Sequence, residues 1–177
     1  MARRRRIFFA LWPDAGVRDA LAAVAAPILK SCRGRPVPPE NYHVTLRFLG
    51  SVDADALAAA RAAAKATIGE RFELVLDRLG HWPRPAVVWL GARGVDDRLL
   101  RLVANLNTEL ESRGFGPDPR PYRPHLTLMR KAAGAPQYDG GLAPIRWPVG
   151  GFCLVESRSE SEGARYNPLE SWPLGDV

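Results

Sequence analysis

The sequence predicts a single mixed domain of strands and helices that is built from two similar lobes. Its 177 residues are the length of one ordinary domain, and 46% hydrophobic with 25% charged residues is typical of a globular protein with a buried core. The order strand, helix, Pro-rich loop and His-x-Thr strand occurs twice. In both copies an aspartate precedes the histidine by 29 residues: Asp14 precedes His43, and Asp96 precedes His125. We therefore expect two lobes within one domain over residues 1–177, interleaved and facing each other across a cleft, with both histidine strands at the junction.

The individual elements follow from hydrophobic periodicity and from Pro and Gly positions. In the first copy the predicted elements are a buried strand over 7–12, a helix from Asp14 toward Leu29 that Pro27 bends or stops, a Pro-rich connector over 35–39, a strand over 42–48 and an alanine-rich helix over 53–68. In the second copy they are a strand over 86–90, a helix over 95–113, a Pro-rich connector over 117–124 and a strand over 125–128. Further strands are predicted over 72–79, which a loop over 80–85 joins to the strand at 86–90, and over 152–156 and 165–169.

Charge and hydropathy limit the classes of protein to which the chain can belong. The formal net charge is +6, and the four arginines at 3–6 supply four of those charges. We expect residues 1–6 to form a solvated basic tail, with a weak electrostatic aid to binding a polyanion such as a nucleic acid as the alternative. The apolar stretch over 7–12 is too short for a signal peptide, and no apolar run approaches the roughly 20 residues of a membrane-spanning helix. We therefore expect a cytoplasmic protein that does not enter a membrane.

Metal and redox sites are not expected. Cys32 and Cys153 lie far apart without a CxxC motif, so no zinc ribbon or thiol redox motif is predicted. The three histidines show neither His-x-His nor HExxH spacing, so we expect no metal and no cofactor. The third histidine, His81, is predicted to be a surface residue or to pack in the loop over 80–85.

Two short segments carry the candidate chemistry, His43-Val44-Thr45-Leu46 and His125-Leu126-Thr127-Leu128. Side chains alternate along a strand, so the histidine and threonine of each motif share one face and the aliphatic residues point into the core. Imidazole titrates near pH 6.5, so a neutral and a protonated histidine can coexist close to neutrality. Such a pair suits metal-free phosphoryl transfer, in which each positioned proton transfer contributes about 10²–10⁴-fold in rate. The two hydroxyls suit donation to phosphate oxygens.

These motifs resemble those of the 2H phosphoesterase superfamily. More narrowly, they are similar to its bacterial RNA 2′,3′-cyclic phosphodiesterase branch, also named 2′–5′ RNA ligase or LigT-like. The stretches that carry the resemblance span nearly the whole chain: RIFFALWP, RPVPPENYHVTLRFLG, HWPRPAVVWLG, YRPHLTLMRK and ESRSESEGARYNPLESWPL. The resemblance implies a bilobal α+β fold related by a pseudo-twofold duplication, in which two small antiparallel sheets flank a central cleft and helices pack outside.

The resemblance also implies an activity and roles for residues. The expected reaction is metal-independent hydrolysis of a 2′,3′-cyclic phosphate, on an RNA end or a nucleotide, to a 2′-phosphomonoester. By analogy His43 is the general acid that protonates the departing 3′ oxygen, and His125 is the general base that activates water. Thr45 and Thr127 would hold phosphate oxygens. From the residues alone, either histidine fits either role.

Several residues near the motifs are weaker candidates. Arg130 lies five residues after His125 and is a candidate contact of the phosphate or the RNA backbone, with a solvated arginine as the alternative. The others are Tyr122 and Arg123, which flank the second motif, Phe48 and Trp82, which we expect in the core rather than stacked on a base, and Glu156, Arg158 and Tyr166, for which we expect structural roles.

Three alternatives stay open at this point. One is an RNA-end binding module without catalysis, although a binding module needs no matched pair of titratable side chains. The resemblance also implies other possible substrates, because relatives in the superfamily act on small cyclic nucleotides, ADP-ribose derivatives or 2′–5′ oligoadenylates with the same catalytic groups. In reverse, an RNA 5′-hydroxyl would replace water and form a 2′–5′ link, but water at about 55 M favours hydrolysis unless the RNA end is held in place. We expect a monomer, because one chain carries both motifs.

Overall fold

The computed structural model describes residues 4–161 and 163–176 and shows an α+β fold, which confirms the predicted fold class. The helices are α1 (Ala15–Lys30), α2 (Ala54–Ala66) and α3 (Asp97–Glu111), with a 3-10 turn over Pro39–Asn41. The strands are β1 (Arg5–Leu11), β2 (Arg35–Pro36), β3 (Val44–Val52), β4 (Phe72–Leu76), β5 (Arg78–Trp82), β6 (Val87–Gly91), β7 (His125–Arg130), β8 (Ile145–Val149), β9 (Gly151–Glu160) and β10 (Gly163–Pro173). Within the described residues, no helix is long and apolar enough to cross a bilayer.

The main sheet consists of two halves that meet at a narrow seam. Its strand order is β10-β9-β1-β3-β7-β6-β5, with β2 paired to β7, and every pair is antiparallel. At the seam, β3 and β7 share one partner pair, Val44 with Leu126. We call β10-β9-β1-β3 the first lobe and β7-β6-β5 with β2 the second lobe. A separate sheet of β4 and β8 adds to the predicted architecture.

The two aspartates that mark the internal repeat both cap helices. The Asp14 carboxylate accepts a hydrogen bond from the Val17 backbone N–H at 2.8 Å at the start of α1, and Asp96 accepts one from the Arg98 N–H at 2.8 Å at the start of α3. Pro27 does not end α1, which continues to Lys30. This is possible because Pro27 lies on the exposed side of the helix, while the opposite side is held in the core.

Strand pairing changes two of the predicted segments. The predicted strand over 72–79 is divided between β4 and β5, which belong to different sheets. Residues 80–82, for which the sequence predicts a loop, extend β5 because they pair with β6, where Trp82 lies opposite Val87. The prediction of a loop position for His81 is therefore wrong, since His81 lies within β5. The strand β8 lacks a predicted counterpart and pairs along its length with β4.

The N-terminal arginines are only partly placed as predicted. Strand β1 begins at Arg5, so Arg5 and Arg6 belong to the sheet rather than to a solvated tail. The Arg5 guanidinium donates to the buried Glu156 carboxylate at 2.7 Å, which holds the start of β1 against β9. Residues 1–3 of the predicted tail lie outside the described residues.

One core joins the two lobes and determines which face of the sheet is left for a site. It contains Leu21 of α1 and the apolar residues that recur at helical spacing along α3, which are Leu99, Leu102, Val103, Leu106 and Leu110. Val44 and Leu126, the aliphatic residues of the two motifs, are fully buried in the same core. Because side chains alternate along a strand, the histidines and threonines of the motifs project to the opposite face, away from the helices.

Candidate active site

The seam between β3 and β7 brings the two motifs together. The strands are antiparallel and share one partner pair, so the positions on either side of that pair face each other. His43 thus lies opposite Thr127, and His125 lies opposite Thr45. The histidines are close enough for the charge of His125 to lower the pKa of His43. The structure therefore gathers these four side chains in one small area of the face that is free of helices.

Both imidazole rings are oriented in the same way by backbone carbonyls. His43 Nδ1 lies 2.7 Å from the Asn41 carbonyl oxygen, and His125 Nδ1 lies 2.8 Å from that of Arg123. Because a carbonyl can only accept, each Nδ1 carries a hydrogen in the neutral ring. Each Nε2 is left to accept a proton when the ring is neutral and to donate one when it is charged. The Nε2 of His43 also lies 3.1 Å from Thr45 Oγ1.

Aromatic side chains enclose the two histidines to different extents. The rings that pack on His43 are Phe8 at 5.0 Å between centroids, Trp12 at 5.7 Å and nearly parallel, and Tyr166 at 5.1 Å edge-on. His125 contacts Trp82, edge-on at 4.6 Å. His43, although partly exposed, thus packs against three aromatic rings, whereas His125 packs against one and is more open.

Burial and nearby positive charge disfavour protonation of both rings. Burial is the main cause that lowers the pKa of His43 to about 4, and the positive charges of Arg130 and His125 act in the same direction, against the Asn41 carbonyl. Burial, followed by the charge of Arg130, also lowers the pKa of His125. The neutral form of both rings is therefore favoured in the free protein.

A polar cleft of about 370 Å³ opens beside His43 on the first lobe. Its lining residues are Arg6, Phe8, His43, Thr45, Phe48, Arg130, Ser157, Ser159, Ala164 and Tyr166. His125 and Thr127 are not among them and stand on the adjacent strand β7. Arg130 ends β7 with an exposed side chain, and none of the ion pairs in the described part of the chain involves it. The cleft thus combines a histidine, hydroxyl groups and unneutralised arginines, which suits an anionic ligand.

The structure places the weaker candidates in varied positions. Phe48 is 39% exposed in the cleft, so the prediction that it packs in the core is wrong; it lies on the polar face of β3. Trp82 is half-buried and packs on His125.

Arg123 contributes its carbonyl to His125, whereas the buried Tyr122 hydroxyl has no hydrogen-bond partner within residues 4–161 and 163–176. Tyr166 contacts His43, and Glu156 binds Arg5 and Arg158 in the structural role that we expect for it.

Asn41 is a site residue that the sequence did not reveal. Its side chain is 6% exposed, and its amide nitrogen donates to the Ala164 carbonyl at 2.8 Å, while its amide oxygen accepts from the Tyr166 N–H at 3.4 Å. The side chain of Asn41 thus anchors this residue to strand β10, and the backbone carbonyl of the same residue orients His43. The internal repeat does not disclose this residue, because the matching position before the second motif is Arg123.

No group of three or more His, Cys, Asp or Glu side chains in the described ranges is placed to hold a metal ion. The groups gathered at the seam are instead two imidazoles, two hydroxyls and a guanidinium. Their chemistry is that of proton transfer and of anion binding.

Both halves of the chain are similar to known proteins. The family model described as LigT like Phosphoesterase matches the chain twice, over residues 11–89 and 90–166. Each match contains one of the two motifs, so the chain carries two copies of the family's unit. The fold and the paired motifs define an enzyme of the phosphoesterase class, which hydrolyses phosphodiester bonds.

Relatives and solved structures cover nearly the full chain. An Escherichia coli (strain K12) protein named RNA 2′,3′-cyclic phosphodiesterase is 34% identical over 98% of this chain and 99% of its own length. A Thermus thermophilus protein of the same name is 32% identical over 96% and 90%. The crystal structure of E. coli LigT complexed with 3′-AMP has a TM-score of 0.88 at 34% identity and covers 97% of this chain and 99% of that one. The chain belongs to the LigT-like phosphoesterase family.

Proposed function

We propose that this protein hydrolyses the 2′,3′-cyclic phosphate of an RNA end, or of a nucleotide, to a 2′-phosphomonoester without a metal ion. The observation that carries this proposal is the pair of histidines at the seam, each with Nδ1 on a backbone carbonyl and Nε2 available for proton transfer. The name RNA 2′,3′-cyclic phosphodiesterase of the E. coli and T. thermophilus relatives supports the choice of substrate.

The phosphate would be held by neutral donors and one cation. The hydroxyls of Thr45 and Thr127 donate to the non-bridging oxygens, and the Arg130 guanidinium adds positive charge from the end of β7. Negative charge on these oxygens grows in the transition state, so donors fixed by a rigid sheet stabilise it without having to reorganise. Arg130 lines the same cleft as His43 and Thr45, and its positive charge contributes, after burial, to the lowered pKa of both histidines.

The two histidines would move one proton each. Neutral His125 Nε2 removes a proton from water as the water oxygen forms a bond to phosphorus. The bond from phosphorus to the 3′ oxygen breaks, and protonated His43 Nε2 gives its proton to that oxygen. The deep burial that lowers the pKa of His43 makes its charged form a strong acid, and an anionic phosphate beside it favours that form. His125 is more open, which suits contact with water.

A product assay tests this function directly. Adenosine 2′,3′-cyclic phosphate and a short RNA with a cyclic phosphate end would be incubated with the protein in EDTA, with separation of the 2′- and 3′-phosphate products. We expect turnover to the 2′-phosphate, unchanged by the chelator. Activity that EDTA abolishes and a divalent metal restores would contradict metal independence, and a 3′-phosphate product would contradict the assigned bond cleavage.

Two further functions belong to the same proposal as alternatives. The same groups would catalyse 2′–5′ ligation if an RNA 5′-hydroxyl replaced water, and a ligated product from a cyclic phosphate end and a 5′-hydroxyl end would show it. Tight, salt-dependent RNA binding without turnover between pH 5 and 8 would instead identify a binding module.

We also infer a monomer, because the motifs meet within one chain, and sedimentation at micromolar concentration tests this.

The lowered pKa of His43 predicts a specific dependence of stability on pH. The unfolded chain binds a proton at this histidine near pH 6.5, whereas the folded protein does so only near pH 4. As the pH falls through this interval, the unfolded state is favoured, and we expect the free energy of unfolding to fall by roughly 2–3 kcal/mol. Urea unfolding at several pH values measures it. In His43→Gln the free energy of unfolding should change much less between pH 6.5 and 4 than in the wild type. A change as large as that of the wild type would contradict the prediction.

Asn41→Ala should impair turnover although Asn41 lies behind His43. The substitution removes both hydrogen bonds to β10 and frees the carbonyl that orients the imidazole, so we expect kcat to fall about tenfold and stability by about 1–3 kcal/mol. Steady-state kinetics and thermal unfolding measure the two effects. The matched control is Asn105→Ala on α3, which removes a side-chain amide that donates to the Ile68 carbonyl. Equal kinetics for both variants would show that Asn41 does not position His43.

A further inference from the structure

The cleft extends along the first lobe beyond the groups that the proposed reaction uses. Arg6 of β1 and Ser157 of β9 are direct partners in the β1–β9 ladder, and both line the cleft. Side chains of partner residues project from the same face of a sheet side by side. Ser159 follows Ser157 by two positions on β9 and also lines the cleft, so it projects from that face as well. One guanidinium and two hydroxyls therefore form a continuous polar surface.

Among the residues that the structure describes, no carboxylate neutralises the positive charge on this surface. Arg5 and Arg158, on the other face of the same strands, are both paired with Glu156. Arg6 is exposed, and in the described part of the chain no carboxylate pairs with it. Its guanidinium lies 4.8 Å from the centroid of the Phe48 ring, a cation–π contact that holds it over the cleft. Ser157 and Ser159 make no side-chain hydrogen bond within residues 4–161 and 163–176.

The position of Arg6 relative to the motifs suits a second phosphate. Ala10 pairs with Thr45, and Arg6 precedes Ala10 by four residues on β1. Four residues of strand span roughly 13 Å. One nucleotide together with an extended arginine side chain can bridge such a distance. In an RNA end with a cyclic phosphate on the 2′ and 3′ oxygens, the nearest other phosphate is the one on the 5′ oxygen of the same ribose.

We propose, on the basis of the function proposed above, that Arg6 with Ser157 and Ser159 forms a subsite for the 5′-phosphate of the terminal nucleotide. This group is the phosphodiester that connects that nucleotide to the rest of an RNA chain. The subsite gives the enzyme a preference for ends that carry a 5′-phosphate over a cyclic nucleotide with a free 5′-hydroxyl. Arginine and hydroxyl groups are common phosphate ligands in RNA recognition.

Three substrates test the subsite. They are adenosine 2′,3′-cyclic phosphate, the same nucleotide with a 5′-phosphate, and a diadenylate that ends in a cyclic phosphate. For the wild type we expect kcat/KM to be about 10–100-fold higher on the two substrates with a 5′-phosphate. If kcat/KM were raised only on the diadenylate and not on the nucleotide with a 5′-phosphate, the enzyme would contact the second base rather than the phosphate. That result would overturn the proposal.

The ratio of kcat/KM between substrates with and without the 5′-phosphate is the decisive quantity. In Arg6→Ala we expect this ratio to fall to near one, and the slope of log kcat/KM against log salt on the diadenylate to decrease by about one. Arg6→Lys should retain part of the ratio. The control is Arg101→Ala, which removes the same charge from α3 and should keep the wild-type ratio.

Failure of the subsite can be distinguished from failure of the proposed function. A wild-type ratio near one, or an unchanged ratio in Arg6→Ala, would overturn the subsite while turnover itself persists. An equal loss on all three substrates would place Arg6 on the reacting phosphate and would also overturn it. No turnover of any of the three substrates by folded wild type would contradict the proposed function itself.

Discussion

His43→Ala and His125→Ala each lower kcat on a 2′,3′-cyclic phosphate by at least about 10²–10⁴-fold, because each removes one positioned proton transfer. The fold should persist, since both side chains lie on the face of the sheet that is free of helices. Steady-state kinetics would be measured beside thermal unfolding. The matched control is His81→Ala, which removes the third histidine from β5 and should change kcat by less than about threefold. If either His43→Ala or His125→Ala kept more than a tenth of the wild-type kcat, the proposed mechanism would be contradicted.

A substrate with a better leaving group separates the two roles. If sulfur replaces the 3′ oxygen of the cyclic phosphate, the leaving thiolate needs no proton from an acid. His43→Ala should then recover most of the lost rate, because the proposed acid is no longer needed. His125→Ala should stay inactive, because water must still be deprotonated. Recovery in His125→Ala instead would reverse the assignment of acid and base.

Leu126→Ala lowers the free energy of unfolding by about 2–5 kcal/mol and also lowers kcat. The leucine is fully buried, so its truncation loses transfer free energy and leaves a cavity. Its backbone is half of the one partner pair that joins β3 to β7, so disorder there changes how the two histidine strands face each other. Urea unfolding and kinetics well below the unfolding temperature measure the two effects.

Leu128→Ala is the control for that variant. Leu128 is also fully buried on β7, but it lies away from the partner pair at the seam. We expect a similar loss of stability and a smaller loss of kcat. Equal kinetic losses in both variants would show that general destabilisation, and not the geometry of the seam, lowers the rate. A stability loss below about 1 kcal/mol for Leu126→Ala would contradict the tight packing of this position.

Local patterns predicted much of the fold and of the site. Helix α3 carries Leu99, Leu102, Val103, Leu106 and Leu110 at helical spacing, and all five are buried. Asp14 and Asp96 cap helices as their positions before apolar periodic segments suggest. The alternation of His43 with Val44 sufficed to predict which side chain enters the core. These features depend on neighbours a few residues away, so a single sequence discloses them.

Features that depend on distant strands were missed or misplaced. Residues 80–82 contain Gly and precede Pro83, which is typical of a loop, yet pairing with β6 makes them part of β5. Arg6 ends a run of four arginines, yet pairing with β3 and β9 places it in the sheet. The role of Asn41 depends on Ala164 and Tyr166, more than 120 residues away in the chain.

The amino-acid sequence by itself determined the repeated motif, the residue types available for proton transfer and the face of each strand on which they lie. These follow from covalent geometry and from the alternation of polar and apolar side chains. Only the tertiary structure decided that the two motifs meet at one partner pair, that His43 is enclosed by aromatic rings, and that Arg6 points along the cleft. The reason is physical: strand order and register arise from the summed burial and pairing of segments that are far apart in the chain.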